Sequence, residues 1–524
     1  MVSNDIKKAA IVWIRSDIRL ADHAPLVSAC SLPQTCFVLP VYCLSPALLQ
    51  PRCNIPGLNG IPVLGPHRGR FLLEALQALQ QQLAARGSKL HFAVSRPAEE
   101  IPALVRGLAG QVSHVDLYHY LQIGRHSVEE EDAVADAFHA ACKESQLTSE
   151  VHHFWGHTLY HPHNALAALK PPARDSNSQL AVESHGFVRE PLPAPDQIPP
   201  FPDSIPSAAP LPKKASTDRT DADAIAALPS ISVAQEGMPG EASVSRNDSG
   251  AADGNLSAPA PIDSFKDTRM LAGGVDNSAK LSAYLAAGCL SPRMVYAEIQ
   301  KARNQSGGDS GHSWLIMHLI IRQAPPLQAS ISLPRDFFLF TALKEGDKLE
   351  RPEGIRGEAR QWRHCDEEFL RWCRGRTGFP FVDACMRELA ATGYMSNRGR
   401  QNVSSFLCKA MGHSWQVGAA LFETLLVDHD WAVNTVNWAY FAGVGNDPRD
   451  RIFRTVSQGM TYDPEAQHIN SWVPELSNLP GDFAHRPWKL EKGAAEACGF
   501  DLCRDYVPPL LDASTQIAIN YGKK

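Results

Sequence analysis

The chain has 524 residues, 44% hydrophobic and 20% charged, with a mean hydropathy of −0.22, which excludes a collagen-like or wholly disordered polymer. Its 50 basic and 56 acidic residues leave a net charge of −6, so contact with nucleic acid would need a local patch and not a global field. No apolar run reaches the roughly 18–20 residues of a membrane-spanning helix, and the 12 cysteines include no C-x-x-C pair, which suits reduced, buried thiols.

MVSNDIKKAA leads straight into an apolar run at Ile11 without a signal-peptide core, so a soluble intracellular protein is expected. From there to about His153 short apolar runs alternate with amphipathic stretches. AAIVWI, CFVLPVYCL, KLHFAV and HVDLY are predicted strands; 68–86, 98–109 and 128–142 carry helical periodicity. Such alternation predicts an α/β N-terminal domain over 8–165, a parallel sheet with flanking helices. No Gly-x-Gly-x-x-Gly occurs to suggest a dinucleotide fold. Residues 171–212 hold 11 prolines, and 202–264 contain no Phe, Tyr or Trp. That composition buries too little apolar surface to offset ordering entropy, so 166–262 is expected to be a linker. Helical periodicity returns at 279–304, 312–322, 364–373, 380–391, 399–410, 415–427 and 431–442, and eight of the ten tryptophans fall at or after Trp314. An all-α C-terminal domain over 263–500 follows, with a tail at 501–524.

Four clusters could carry chemistry. HHFWGHTLYHPH places five histidines between His152 and His163, two pairs at i, i+4. A metal could use that spacing, but Gly156 and Pro162 argue against one continuous helix, and surface or interdomain histidines explain it better. The run from Asp428 to Trp438 is more pointed. A helix starting near Asp430 would place that carboxylate on backbone amides, with Asn434 and Trp438 at i+4 and i+8 on one face. That face suits a flat heterocycle with a polar edge; an N-capped core helix with a buried Trp suits it too. Asn397 and Arg400 lie three apart at another helix start, with Arg400 a natural partner for Asp428, although a solvated helix start fits as well. Serines in SAKLSAYLAAGCLSPR (278–293) could open a helix onto a phosphate or merely cap it.

Taken together, these segments resemble the photolyase/cryptochrome family and, within it, the DASH-type cryptochromes. The likeness is carried by WIRSDIRLADHAPL (13–26), GPHRGRFLLEAL (65–76), FWGHTLYH (154–161), WCRGRTGFP (372–380), MSNRGRQN (395–402) and NWAYFAGVGNDPR (437–449). The resemblance implies a U-shaped FAD in the helical domain. Arg269, Ser278, Leu281 and Ser282 would hold its phosphates. Trp314, Asn397, Arg400, Asp428 and Asp430 would line flavin and ribose, and Asn434 would face flavin N5. The family's tryptophan relay maps to Trp438 (proximal), Trp415 (intermediate) and Trp362 (surface). The implied reaction is blue-light-driven electron donation from FAD to a cyclobutane pyrimidine dimer in single-stranded DNA, with lesion-containing DNA or RNA as partner. The alternative is a non-catalytic blue-light photoreceptor acting through signalling partners.

Departures bear on that choice. His318 stands where the family has a substrate-contacting Glu, Ile321 where it has a lesion-stacking Trp, and 323–335 is an insertion with three prolines. The Glu that contacts a folate antenna, 5,10-methenyltetrahydrofolate, aligns at His126 or Ser127, with Glu129 reachable by a small shift. A weakly bound or absent antenna is expected.

Overall fold

The computed structural model describes residues 7–32, 34–52, 55, 58–159, 188–205, 211, 281–306, 335–446 and 452–512. They fall into two compact units interleaved along the chain. One draws on Met1–Gln50, Gly69–Leu228 and Leu281–Gly346, the other on Pro51–Arg68, Pro229–Lys280 and Asp347–Lys524.

The first unit is built on β1 (Lys8–Ile14), β2 (Thr35–Cys43), β3 (His91–Ala93), β4 (His114–Tyr120) and β5 (Thr148–Phe154), in the order β3-β2-β1-β4-β5. Every pairing is parallel. Parallel neighbours require crossovers, here including α1 (Ala24–Ser31), α2 (Pro66–Ala84), α3 (Pro97–Gly107) and α4 (Arg125–Glu144). Ile11, Trp13, Leu39, Val41, Leu117 and Phe138 share one core, so the continuous apolar runs of β1 and β2 follow from burial on both faces. β5 has no such run. It lies at the sheet edge with Thr148, Glu150 and His153 exposed and no residue fully buried, so it lacks the signature of a buried strand.

The segment expected as one helix over 279–304 is two, α5 (Ser282–Ala287) and α6 (Pro292–Ser306). Gly288 breaks it at φ 74°, and a Cβ there would lie 1.9 Å from the Ser16 carbonyl oxygen. Pro292, with no N–H to continue the ladder, then opens α6. With α7 (Arg335–Glu345) these helices belong to the first unit, where Leu285, Val295, Ile299 and Phe340 form a core with Leu159.

The second unit is helical: α8 (Asp366–Cys373), α9 (Pro380–Thr392), α10 (Asn397–Ser405), α11 (Trp415–Leu425), α12 (Trp431–Ala442), α13 (Thr455–Tyr462) and α14 (Gln467–Trp472). Its core gathers Trp372, Phe379, Phe406, Leu407, Leu421, Phe422 and Trp438. Side-chain oxygens of Ser396, Ser414 and Asp430 cap α10, α11 and α12 by accepting from Gly399, Gln416 and Val433 amides. Gly393 and Gly443 end α9 and α12 in the left-handed conformation. No helix among the described residues is long and apolar enough to cross a membrane. The architecture is thus the expected one, a parallel α/β sheet unit and a helical unit.

Candidate functional site

The loop between α11 and α12, and the start of α12, bring four of the singled-out residues together. Asp428 is 8% exposed and accepts from Arg400 Nη2 with both oxygens, at 3.0 and 2.8 Å. Arg400 Nε donates to the Met395 carbonyl at 2.9 Å, which fixes the guanidinium at the start of α10. Burial works against the charge of Arg400, but the Asp428 carboxylate outweighs it and raises the Arg400 pKa above its usual value. Breaking such a pair from one side would leave a desolvated charge, an expensive state. Asn397 opens α10, one residue after its Ser396 cap.

Two residues on, Asp430 Oδ1 accepts from the Val433 amide at 3.0 Å and caps α12. Its backbone carbonyl accepts from the Asn434 amide at 2.8 Å. One turn into the helix, Asn434 Nδ2 donates to the Ala419 carbonyl of α11 at 3.0 Å. That bond decides which way the amide points: the donor end is spent on α11, and Oδ1 is the end left to accept from a ligand. His429 lies between the two aspartates and is half-buried. Burial first, then the Arg68 and Arg52 cations, push its pKa well below the ordinary value, so this loop holds a neutral imidazole.

Another turn along α12, Trp438 is 1% exposed and its Nε1 has no hydrogen-bond partner among the described residues. Its ring packs edge-on against Phe422 (centroids 5.0 Å, 80°) and Trp372 (6.2 Å, 75°). Gly418 on α11 makes this packing possible, since a Cβ there would sit 2.3 Å from the Trp438 ring. Trp415 is buried and donates from Nε1 to the Pro352 carbonyl at 3.1 Å. Trp362 is half-buried against the same core, and its Nε1 has no partner among the described residues.

Leu281 and the exposed Ser282, at the start of α5, belong to the first unit, and Ser282 makes no side-chain capping bond. Arg269, Ser278, Trp314, His318 and Ile321 lie outside the described residues. Of the histidine-rich segment, His161 and His163 also lie outside them, whereas His152 and His153 belong to β5. At the antenna position His126 is exposed, and Glu129 is engaged by Arg125 at 2.7 Å. Two features of the cluster escaped sequence reasoning. The Ala419 carbonyl leaves no trace in residue identity. Trp372 looks like any core indole until the fold sets it against Trp438.

The donor set fits FAD. Aspartate oxygens have lone pairs to accept from ribityl and ribose hydroxyls, an amide oxygen with its partner end already occupied can accept from a flavin N–H, and Arg400 neutralises Asp428.

Comparisons with known proteins bear on the same assignment. The family model described as "DNA photolyase" matches residues 10–195, and that described as "FAD binding domain of DNA photolyase" matches residues 332–521. Cryptochrome DASH from Gloeobacter violaceus is 37% identical over 98% of this chain and 95% of its own. Cryptochrome DASH from Xenopus laevis is 36% identical over 97% of this chain and 90% of its own. The crystal structure of the Synechocystis sp. PCC6803 cryptochrome superposes with a TM-score of 0.78 at 30% identity, covering 99% of each chain. The chain therefore belongs to the photolyase/cryptochrome family, beside relatives named cryptochrome DASH, and its cofactor is FAD.

Proposed function

We propose that this flavoprotein performs blue-light photochemistry of the DASH type, with light-driven repair of cyclobutane pyrimidine dimers in single-stranded DNA as its reaction. The observation that carries the reading is one helix face. Asp430, Asn434 and Trp438 follow at four-residue steps on α12, with the Arg400–Asp428 pair at its N-terminal end. Under this reading Asp428, Asp430, Arg400, Asn397 and Asn434 hold the flavin and ribose, and Leu281, Ser282, Arg269, Ser278 and Trp314 complete the site. FAD, when bound, supplies light absorption and one-electron chemistry. The chain supplies the electron path. Trp438, Trp415 and Trp362 are oxidisable indoles in or against one core. A hole held as a cation can pass outward along the relay. An unpaired strand suits the substrate because an extruded base there costs less to flip.

A second reading is favoured by sequence alone. His318 and Ile321 replace the family's substrate-contacting Glu and lesion-stacking Trp, and 323–335 adds a proline-bearing insertion beside them. Loss of an aromatic platform forfeits about 1–3 kcal/mol of stacking per base. On this reading the chain is a photoreceptor with a weakened repair pocket. The folate antenna is weakly held in either case, because Glu129 is already engaged by Arg125. An intracellular, reducing location accompanies the proposal, since every cysteine among the described residues is free.

Purified full-length protein assayed under blue light on dimer-containing single-stranded DNA tests the reaction. Repair above the dark control supports it; photoreduction of the flavin with no repair moves the assignment to the photoreceptor. The flavin site is tested by Asp428→Asn, which leaves Arg400 without its anion. Loss of a charged hydrogen bond of about 1.5–3 kcal/mol should lower flavin affinity at least about tenfold. Full flavin occupancy in the purified variant would remove Asp428 from the site.

A further inference from the structure

A second cluster lies in the α/β unit, among residues not assigned to flavin. β4 and β5 run side by side with His114 opposite Thr148, Asp116 opposite Glu150 and Tyr118 opposite His152. Side chains two apart on a strand share a face, so all six project from the same side of the sheet. Asp116 is 2% exposed, and its Oδ1 lies 3.2 Å from His152 Nε2 and 2.7 Å from His114 Nε2. Glu150 Oε2 stands 3.9 Å from the same His152 nitrogen. Ligand atoms of Asp116, Glu150 and His152 all fall within 4.8 Å of one another.

Two carboxylates directly opposite on neighbouring strands repel, and a cation between them relieves that repulsion. The geometry points to a divalent transition-metal site formed by Asp116, Glu150 and His152, with Zn²⁺ the ion it suits. Two carboxylates cancel a divalent charge. An imidazole beside them favours a borderline ion over Ca²⁺ or Mg²⁺, which take oxygen ligands, and no thiolate is present to select a soft ion.

The surroundings are those a ligand set needs. The Tyr118 ring stacks on His152 (centroids 4.5 Å, 16°) and fixes its plane. His114 bonds Asp116 through Nε2, while its Nδ1 is 2.7 Å from Thr148 Oγ1, so the buried carboxylate is held from its far side. Glu150 and His152 are 67% and 29% exposed, which leaves the ion a route from solvent. The histidine-rich segment thus contributes one ligand, His152, and takes its partners from across the strand pair instead of from its own neighbours. An ion here would tie the edge strand to the sheet.

The test uses the full chain with its flavin bound, stripped with EDTA and titrated with Zn²⁺. Wild type should bind an equivalent that His152→Ala and Glu150→Gln each weaken by about tenfold or more. Zn K-edge absorption on that equivalent should show nitrogen and oxygen scatterers and no sulfur. Both substitutions are on exposed or half-exposed side chains of an edge strand, and an unchanged flavin spectrum confirms folding. A Zn²⁺-dependent, EDTA-reversible rise in Tm should appear in wild type and vanish in Glu150→Gln, the variant that keeps size and polarity. Equal Zn²⁺ affinity in wild type and both variants, or sulfur in the shell of the bound equivalent, would overturn the assignment.

Discussion

Asn434 has two hydrogen-bonding ends, and the Ala419 carbonyl occupies the donor end at 3.0 Å. Asn434→Asp removes that donor and sets an anionic oxygen against a carbonyl. At pH 7 the variant should unfold in urea with about 1–3 kcal/mol less stability than wild type. The deficit should shrink toward pH 5, because a carboxyl raised in pKa by its neighbour regains a donating proton as pH falls. A deficit constant from pH 7 to 5 would show that the amide's orientation is set elsewhere. The Trp438 indole is the other residue whose chemistry exceeds its packing. Trp438→Phe keeps the edge contacts with Phe422 and Trp372 but removes the easily oxidised ring, so flavin photoreduction by an external donor should slow markedly while flavin content stays unchanged. Photoreduction at the wild-type rate would leave the relay without its first member.

At the scale of elements, the site depends on how α11 meets α12. Gly418 allows the approach, with space for no methyl beside Trp438. Gly418→Ala should force the helices apart and destabilise the protein by about 1–3 kcal/mol, the usual range for overpacking. It should also lengthen the Asn434–Ala419 bond, so flavin affinity should fall with stability; chemical denaturation beside flavin titration reads both. Asp430 has a different role at the same junction, since it caps α12 through Val433. Asp430→Ala should cost about 0.5–2 kcal/mol from the lost cap alone. Asp430→Ser restores a capping oxygen without the charge, so recovery of stability but not of flavin affinity would separate the cap from the ligand role.

For the whole molecule, buried imidazoles set the acid limit. Burial pulls the His468 pKa down to about 4 against the opposing pull of Asp463. Burial, with Arg15 nearby, brings His119 also to about 4, and His429 lies well below its ordinary value. Each is neutral in the folded state and free to protonate near pH 6.5 once unfolded. Between pH 6.5 and about 4 the unfolded chain therefore binds more protons, and stability falls as pH falls, by up to about 1.4 kcal/mol per pH unit for each such group. Denaturation midpoints should be flat between about pH 7 and 8 and drop steeply below 6.5. His468→Gln, which cannot titrate, should make the drop shallower; an unchanged slope would exclude His468 as a contributor.

Much of this protein was legible in one dimension because its elements advertise themselves by burial. β1 and β2 are mostly apolar since both faces are covered, and α12 announces its start with a capping aspartate followed by residues four apart. The pairing of Arg400 with Asp428 was legible from charge and from two adjacent helix starts. What stayed hidden depends on neighbours distant in sequence. β5 is half-exposed, so its pattern lacks the apolar run that marks a buried strand. The break at Gly288 follows from the Ser16 carbonyl, 272 positions upstream by residue number, lying where a Cβ would be. The amide orientation of Asn434 comes from a backbone oxygen that no side-chain identity encodes. His152 looked like one of five clustered histidines, and only strand register placed it beside Asp116 and Glu150. Local pattern therefore determined the elements and the residues able to do chemistry, whereas tertiary packing decided which atoms of those residues are already spent and which remain to act.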